Sequence, residues 1–133
     1  MPRILALDHG SARCGCAVSD PSGTLATPLR AVERPDTKKG LAALARLADE
    51  QGAERVVVGL PLTLRGEQGA QAAAARAFAE RLERRLSIPV ELHDERLTTR
   101  LAERTGGAGD ADSRAAAHLL ESYLAGQSAG SRG

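Results

Sequence analysis

The sequence predicts an α/β domain built on a five-stranded mixed sheet, three antiparallel strands followed by two parallel ones, with helices on both faces. Three observations predict it. Strand-like segments separated only by short turns fill the first 32 residues, as an antiparallel meander requires. Arg55-Val56-Val57-Val58-Gly59-Leu60-Pro61 is a β-branched run without alternation, the pattern of a parallel strand buried on both faces. Around the later strands, apolar residues recur at helical spacing and supply the crossovers that parallel neighbours need.

In chain order, residues 3–7 form the first strand, a near-continuous apolar run that stops on Asp8 before the turn His9-Gly10-Ser11. Residues 13–19 alternate small and apolar side chains and form the second. Its cysteines, Cys14 and Cys16, point to one face, are too close along one strand for an undistorted disulfide, and read as small core residues. Asp20-Pro21-Ser22-Gly23 is a turn with Pro early and Gly late. Residues 24–32 form the third strand, demoted by Pro28. The pattern changes at Pro35-Asp36-Thr37, after which Leu41, Leu44, Ala45 and Ala48 fall at helical spacing up to a Gly52 cap.

Beyond the fourth strand, a polar loop over 63–69 carries Arg65, Gly66 and Gly69. The long helix that follows places Ala72, Ala75, Ala79, Leu82 and Leu86 on one face and Arg76, Glu80, Glu83 and Arg84 on a solvated one. Residues 88–95 are the fifth strand, ending in Asp94-Glu95-Arg96. A short helix over 97–104 and a glycine connector over 106–109 lead to a last helix, begun by Asp110 or Asp112, with Ala116, Leu119, Leu120, Tyr123 and Leu124 on one face. A single domain therefore spans 1–125, and the Gly/Ser-rich stretch 126–133 is expected to be a disordered tail.

Composition narrows the function. With one Phe, one Tyr and no Trp, the chain lacks the aromatic side chains on which single-strand binding platforms stack bases. Eighteen Lys+Arg against 17 Asp+Glu leave a net charge of +1, so any nucleic-acid contact must come from a local patch. Nearly all the cations are Arg, the better bidentate partner of phosphate. Two cysteines exclude a zinc site of the usual thiolate count. The absence of a signal peptide and of a bilayer-length apolar run leads to the expectation of a soluble, cytoplasmic protein.

Three acids stand where this fold should bury them. Asp8 ends the first strand, Glu95 ends the fifth, and ligands of open α/β sheets gather at strand carboxyl ends. Asp112 lies four residues before Ala116 and seven before Leu119, on the helix face that packs on the sheet. Each has a plainer explanation alone: an Asx-turn for Asp8 and a helix N-cap for Asp112, with Asp110 a competing cap. Together, carboxylates held this close repel one another, and a hard divalent cation relieves the repulsion. Oxygen-only ligands suit Mg²⁺ or Mn²⁺, and a two-metal site of this kind suits in-line phosphodiester hydrolysis.

The motifs carry a resemblance as well. Leu7-Asp8-His9-Gly10 with Arg13-Cys14-Gly15-Cys16-Ala17-Val18-Ser19-Asp20 resembles the opening motif of the YqgF/RuvX family. Val57-Val58-Gly59-Leu60-Pro61-Leu62 with Gly66, then Asp94-Glu95-Arg96-Leu97-Thr98-Thr99, resemble the second and third. Asp112-Ser113-Arg114-Ala115-Ala116 with Leu120-Glu121-Ser122-Tyr123-Leu124 resembles the last. The resemblance implies a ribonuclease H-like fold and a bacterial hydrolase, a nuclease that processes the 5′ end of precursor 16S rRNA in ribosome biogenesis, related to Holliday junction resolvases. It places the catalytic and metal-binding acids on Asp8, Glu95 and Asp112. Two departures stand out: Ala12 where many members have Lys, and Leu64-Arg65 where many have a Met-Asp-like pair.

The expectation is thus a metal-dependent nuclease acting on structured RNA, with a four-way DNA junction as the alternative substrate. Asp8 would bridge two metals between Glu95 and Asp112. His9, Arg13, Arg65, Arg96 and Arg100 are candidate nucleic-acid contacts; for His9 a role within the turn, and for Arg96 an ion pair, compete with that role. A resolvase would require a two-fold homodimer, a processing nuclease would not. Two rivals remain. A nucleotide phosphotransferase of the actin-like fold shares the strand-Asp-Gly opening but needs a second domain. A non-catalytic rRNA-binding assembly factor would keep its function without Asp8.

Overall fold

The fold was analysed in a computed structural model that describes residues 3–61, 69–94 and 111–130, with side chains described over 113–126 in the last segment. Strands β1 (Ile4–Asp8), β2 (Arg13–Ser19), β3 (Ala26–Pro28) and β4 (Val32–Glu33) precede helix α1 (Lys38–Glu50). Strand β5 (Arg55–Leu60), helix α2 (Ala70–Glu83), strand β6 (Val90–Asp94) and helix α3 (Ala111–Gly130) complete the described elements. The sheet order is β3-β2-β1-β5-β6, with β4 pairing β2 off that path. Strands β1, β5 and β6 are parallel neighbours, and β2 is antiparallel to β1, β3 and β4. The short helix expected over 97–104 lies outside the described residues.

The third strand departs from expectation. Instead of one strand over 24–32, β3 pairs Ala17↔Pro28 and Ser19↔Ala26, whereas β4 pairs Arg13↔Glu33 and Cys14↔Val32, one residue out of step. Leu29, Arg30 and Ala31 therefore oppose only Gly15 and Cys16, which is a bulge on the edge. Pro28, which has no N–H to donate, closes the first piece. Leu29 N–H still donates to Cys16 C=O at 2.8 Å, and Cys16 N–H, on the same side of its strand, donates instead to the buried Ser113 Oγ of α3 at 3.3 Å.

Two apolar layers enclose the sheet. On one face Leu5, Leu7, Cys14, Cys16, Val56 and Val58 pack against Leu44 of α1 and Phe78 and Leu82 of α2. On the other, Ile4, Ala6, Ala17 and Val57 pack against Ala116, Leu119, Leu120 and Tyr123 of α3. Period-2 alternation along β1 thus separates the layers. Both cysteines are free and buried in the α1/α2 layer, where the contact with Cys16, then burial, raises the Cys14 thiol well above its ordinary value. Helix α1 begins with Thr37 Oγ1 accepting the Gly40 N–H and ends in a Schellman turn, Ala53 N–H to Ala48 C=O at 2.9 Å with Gly52 at φ 67°.

Helix α3 runs to Gly130, five residues past the point where the sequence suggested a tail. Ala125, Gln127 and Ala129 are good helix formers, and they outweigh Gly126 once the helix is docked. Among the described residues, no helix is long and apolar enough to cross a membrane.

Candidate functional site

Asp8 is the last residue of β1, half-buried, paired across β2 with Gly15. Register fixes what surrounds it. Leu7 pairs with Val58 and Val58 with Leu92, so Asp8, Gly59 and His93 each lie one step beyond that row, at the carboxyl end of the three parallel strands. The condition for a shared edge, three parallel neighbours ending together, is met. Following Ile4 and Ala6 by alternation, Asp8 stands on the face that α3 covers. Gly10 permits the tight turn after it, since a Cβ there would sit 2.8 Å from the Arg13 carbonyl oxygen.

The first turn of α3 is held beside this end of the sheet. Ser113, fully buried, caps the Cys16 N–H, and Cys16 pairs with Leu7, the residue before Asp8. Asp112, the neighbour of Ser113, is therefore carried by its backbone to the Asp8 end of the sheet. Ala116 and Leu119, four and seven residues further along α3, are fully buried, which agrees with the face assigned from sequence. The Asp112 side chain, Glu95, Arg65, Arg96 and Arg100 lie outside the described residues. Among the described residues, no three His, Cys, Asp or Glu side chains gather as a metal cluster.

His9 lies on the opposite face from Asp8. Its ring stacks on Phe78 at 4.6 Å between centroids, and Nε2 donates to Asp36 Oδ2 at 2.9 Å with only 5% of the side chain exposed. An acceptor-only carboxylate fixes Nε2 as the nitrogen that carries the proton. Arg81 adds a bond to the Asp36 carbonyl oxygen at 3.3 Å. The turn after Asp8 is thereby tied to α2 and to the segment before α1. Arg13, by contrast, is exposed at the start of β2.

On the Asp8 face, a polar cluster that sequence reasoning missed joins α3 to β5 and β6. Arg55 Nη1 donates to Tyr123 Oη at 2.8 Å, and the phenol donates in turn to Glu91 Oε2. Burial, then the Glu91 contact, raise the phenol above its ordinary value, partly offset by Arg55. His93 shares a hydrogen bond with Ser122 Oγ at 3.1 Å and meets the Tyr123 ring edge-on. Burial lowers the His93 imidazole, while Asp94 and Glu91 act in the raising direction. The partners are 29 to 68 residues apart, so no local pattern marked them.

A central strand ending on an acid, an antiparallel pair on one side, parallel crossovers on the other and a last helix laid across that acid's face define the ribonuclease H-like class of α/β proteins. Within that class, the chain belongs to the RuvX family, whose model, described as Holliday junction resolvase, matches residues 2–126. A protein of Chloroflexus aurantiacus described as "Putative pre-16S rRNA nuclease" is 45% identical over 130 residues, covering 91% of this chain and 85% of that one. A relative from Syntrophomonas wolfei with the same description is 39% identical over 137 residues, covering 96% and 97%. Among solved structures, RuvC of T. thermophilus in complex with Holliday junction substrate matches with a TM-score of 0.59 over 96% of this chain and 97% of that one. At 17% identity that likeness concerns the fold.

Proposed function

We propose that the protein is a divalent-metal-dependent nuclease that trims the 5′ end of precursor 16S rRNA. The observation that carries this reading is the convergence of Asp8, at the carboxyl end of β1, with the α3 turn that bears Asp112, pinned there through Ser113 and Cys16. Membership in a family described as Holliday junction resolvase, and relatives described as "Putative pre-16S rRNA nuclease", support nucleic acid as the substrate. A cytoplasmic location follows from that substrate.

Asp8, Glu95 and Asp112 would hold the metal. Carboxylate oxygens without a thiolate are the donor set of Mg²⁺ or Mn²⁺. The bound ions supply water activation and stabilisation of the leaving oxygen. The chain itself supplies a rigid mount: β1, buried between β2 and β5, fixes Asp8, and the His9–Asp36 bond fixes the turn that follows it. Arg13, Arg65, Arg96 and Arg100 would hold phosphates on either side of the scissile bond, with His9 a positioning residue.

The family description favours a second reading, a resolvase of four-way DNA junctions, which would work as a two-fold homodimer. One assay separates the readings. Wild type and Asp8→Asn are incubated with Mn²⁺ on a 5′-extended rRNA fragment and on a four-way junction. Cleavage of the RNA alone, abolished by Asp8→Asn, is the expected result; cleavage of the junction alone establishes the resolvase. Binding without cleavage of either substrate leaves an assembly factor and overturns the enzyme.

A further inference from the structure

Beside the Asp8 end of the sheet, a groove of about 790 Å³ opens between the β3–β4 edge and the start of α1. Its lining includes Arg13, Arg30, Arg34 and Lys39 against a single carboxylate, Glu33. The chain as a whole carries a net charge of only +1, so this is a strong local concentration of positive charge. Arg30, Arg34 and Lys39 are exposed, and none forms an ion pair among the described residues.

The wall that carries them is built, not loose. Arg34 holds φ 47°, a conformation non-glycine residues adopt at a cost of about 1–2 kcal/mol. Its N–H donates to the Ala12 carbonyl at 2.9 Å, and its own carbonyl accepts from Thr37 Oγ1 at 2.8 Å. Gly40 packs so closely on it that a Cβ would fall 2.0 Å from the Arg34 carbonyl oxygen. The cationic side chains therefore project from a fixed backbone. No acid occupies the first turn of α1, so its positive end adds to the same field.

We propose that this groove seats the phosphate backbone of the substrate strand as it leaves the active end; the inference rests on the nuclease reading above. Arg13 supplies the continuity. It lies two residues before Gly15, the partner of Asp8, or about 7 Å along β2, and it lines the groove. A protein partner would need large apolar anchors, and the exposed large hydrophobic residue among the described residues, Leu25, is not in the lining. A sugar-phosphate backbone needs only guanidinium, ammonium and hydroxyl donors, which Arg30, Arg34, Lys39 and Thr37 provide.

The test is binding of a labelled 5′-extended rRNA fragment in EDTA, followed by fluorescence anisotropy across a salt series. The triple variant Arg30→Gln/Arg34→Gln/Lys39→Gln is compared with wild type and with Arg46→Gln, an exposed cation of α1 outside the groove. Loss of three single-strand phosphate contacts should make the slope of log K against log salt shallower by about 2, with at least a tenfold loss of affinity at low salt. Arg46→Gln should bind as wild type does. If the triple variant melts early, Arg30→Gln and Lys39→Gln are measured singly, each expected to shift the slope by about 0.7. Unchanged slope and affinity in the folded variants overturn the proposal. Because binding is read without metal, a wild type that binds through the groove but never cuts removes the nuclease reading and leaves the groove. A wild type that cuts while the variants bind unchanged does the reverse.

Discussion

Replacing Ser113 by Ala removes a single oxygen, and the structure says what that oxygen does. The bulge at Leu29–Ala31 leaves the Cys16 N–H without a strand partner, and Ser113 Oγ receives it at 3.3 Å in a site closed to solvent. A buried N–H left without an acceptor costs about 1–3 kcal/mol, and the long distance here points to the lower part, about 1–2 kcal/mol. Unfolding entropy scales to about 0.28 kcal/mol/K for 133 residues, so Tm should fall by about 4–7 °C. Ser19→Ala is the matched control, since Ser19 Oγ accepts the Ile4 N–H at 2.8 Å at the far end of β1. Both variants should lose stability in calorimetry or urea titration. Only Ser113→Ala should also slow cleavage, because only Ser113 sets the α3 turn that carries Asp112. A Ser113→Ala protein that melts with wild type, while Ser19→Ala does not, would refute the bulge-and-cap reasoning.

Two further perturbations probe the two ends of the sheet, His9 beside Asp8 and Tyr123 beside Arg55, the partner of Ile4. His9→Ala removes a ring stacked on Phe78 and its bond to the Asp36 carboxylate, at an expected cost of about 2–4 kcal/mol; a loss below about 0.5 kcal/mol in urea titration would show that the turn is anchored elsewhere. Tyr123 is the sole tyrosine, so phenolate absorbance reports it alone. Its folded value is raised above 10.0 by burial and Glu91, so the stability it contributes is complete below pH 10 and lost as pH rises through the folded value. Glu91→Gln should move the folded titration down toward the unfolded one, and an unmoved titration would contradict the Glu91 contact.

Much of this arrangement was legible because it depends on local pattern. The unalternating Val56-Val57-Val58 run could only be a strand covered on both faces, and an apolar run stopping on Asp8 could only deliver that acid to a sheet edge. Ala116 and Leu119 placed the buried face of α3. What stayed hidden depends on pairing. The bulge exists because two registers meet opposite Gly15 and Cys16, and no residue type announces that offset. His9 and Asp36 are 27 residues apart, so the same turn histidine read equally well as a phosphate contact. Phe78 was legible in principle, since it falls three residues after Ala75 and four before Leu82, but the Ala/Leu pattern of that face hid the largest fully buried side chain among the described residues. The end of α3 was a contest between modest propensities, in which docking, invisible to local sequence, prevailed.

Asp8 holds the centre of the account, and one comparison tests it directly. Purified wild type and Asp8→Asn, matched for thermal stability, are assayed on a 5′-extended 16S rRNA fragment with Mn²⁺ and again with EDTA. The account expects cleavage by wild type with the ion, none with EDTA, and a loss of about 10²–10³-fold or more in Asp8→Asn, 10²–10³ being the scale on which loss of one group acting on transition-state charge is felt. Cleavage by a folded Asp8→Asn protein at the wild-type rate would contradict it.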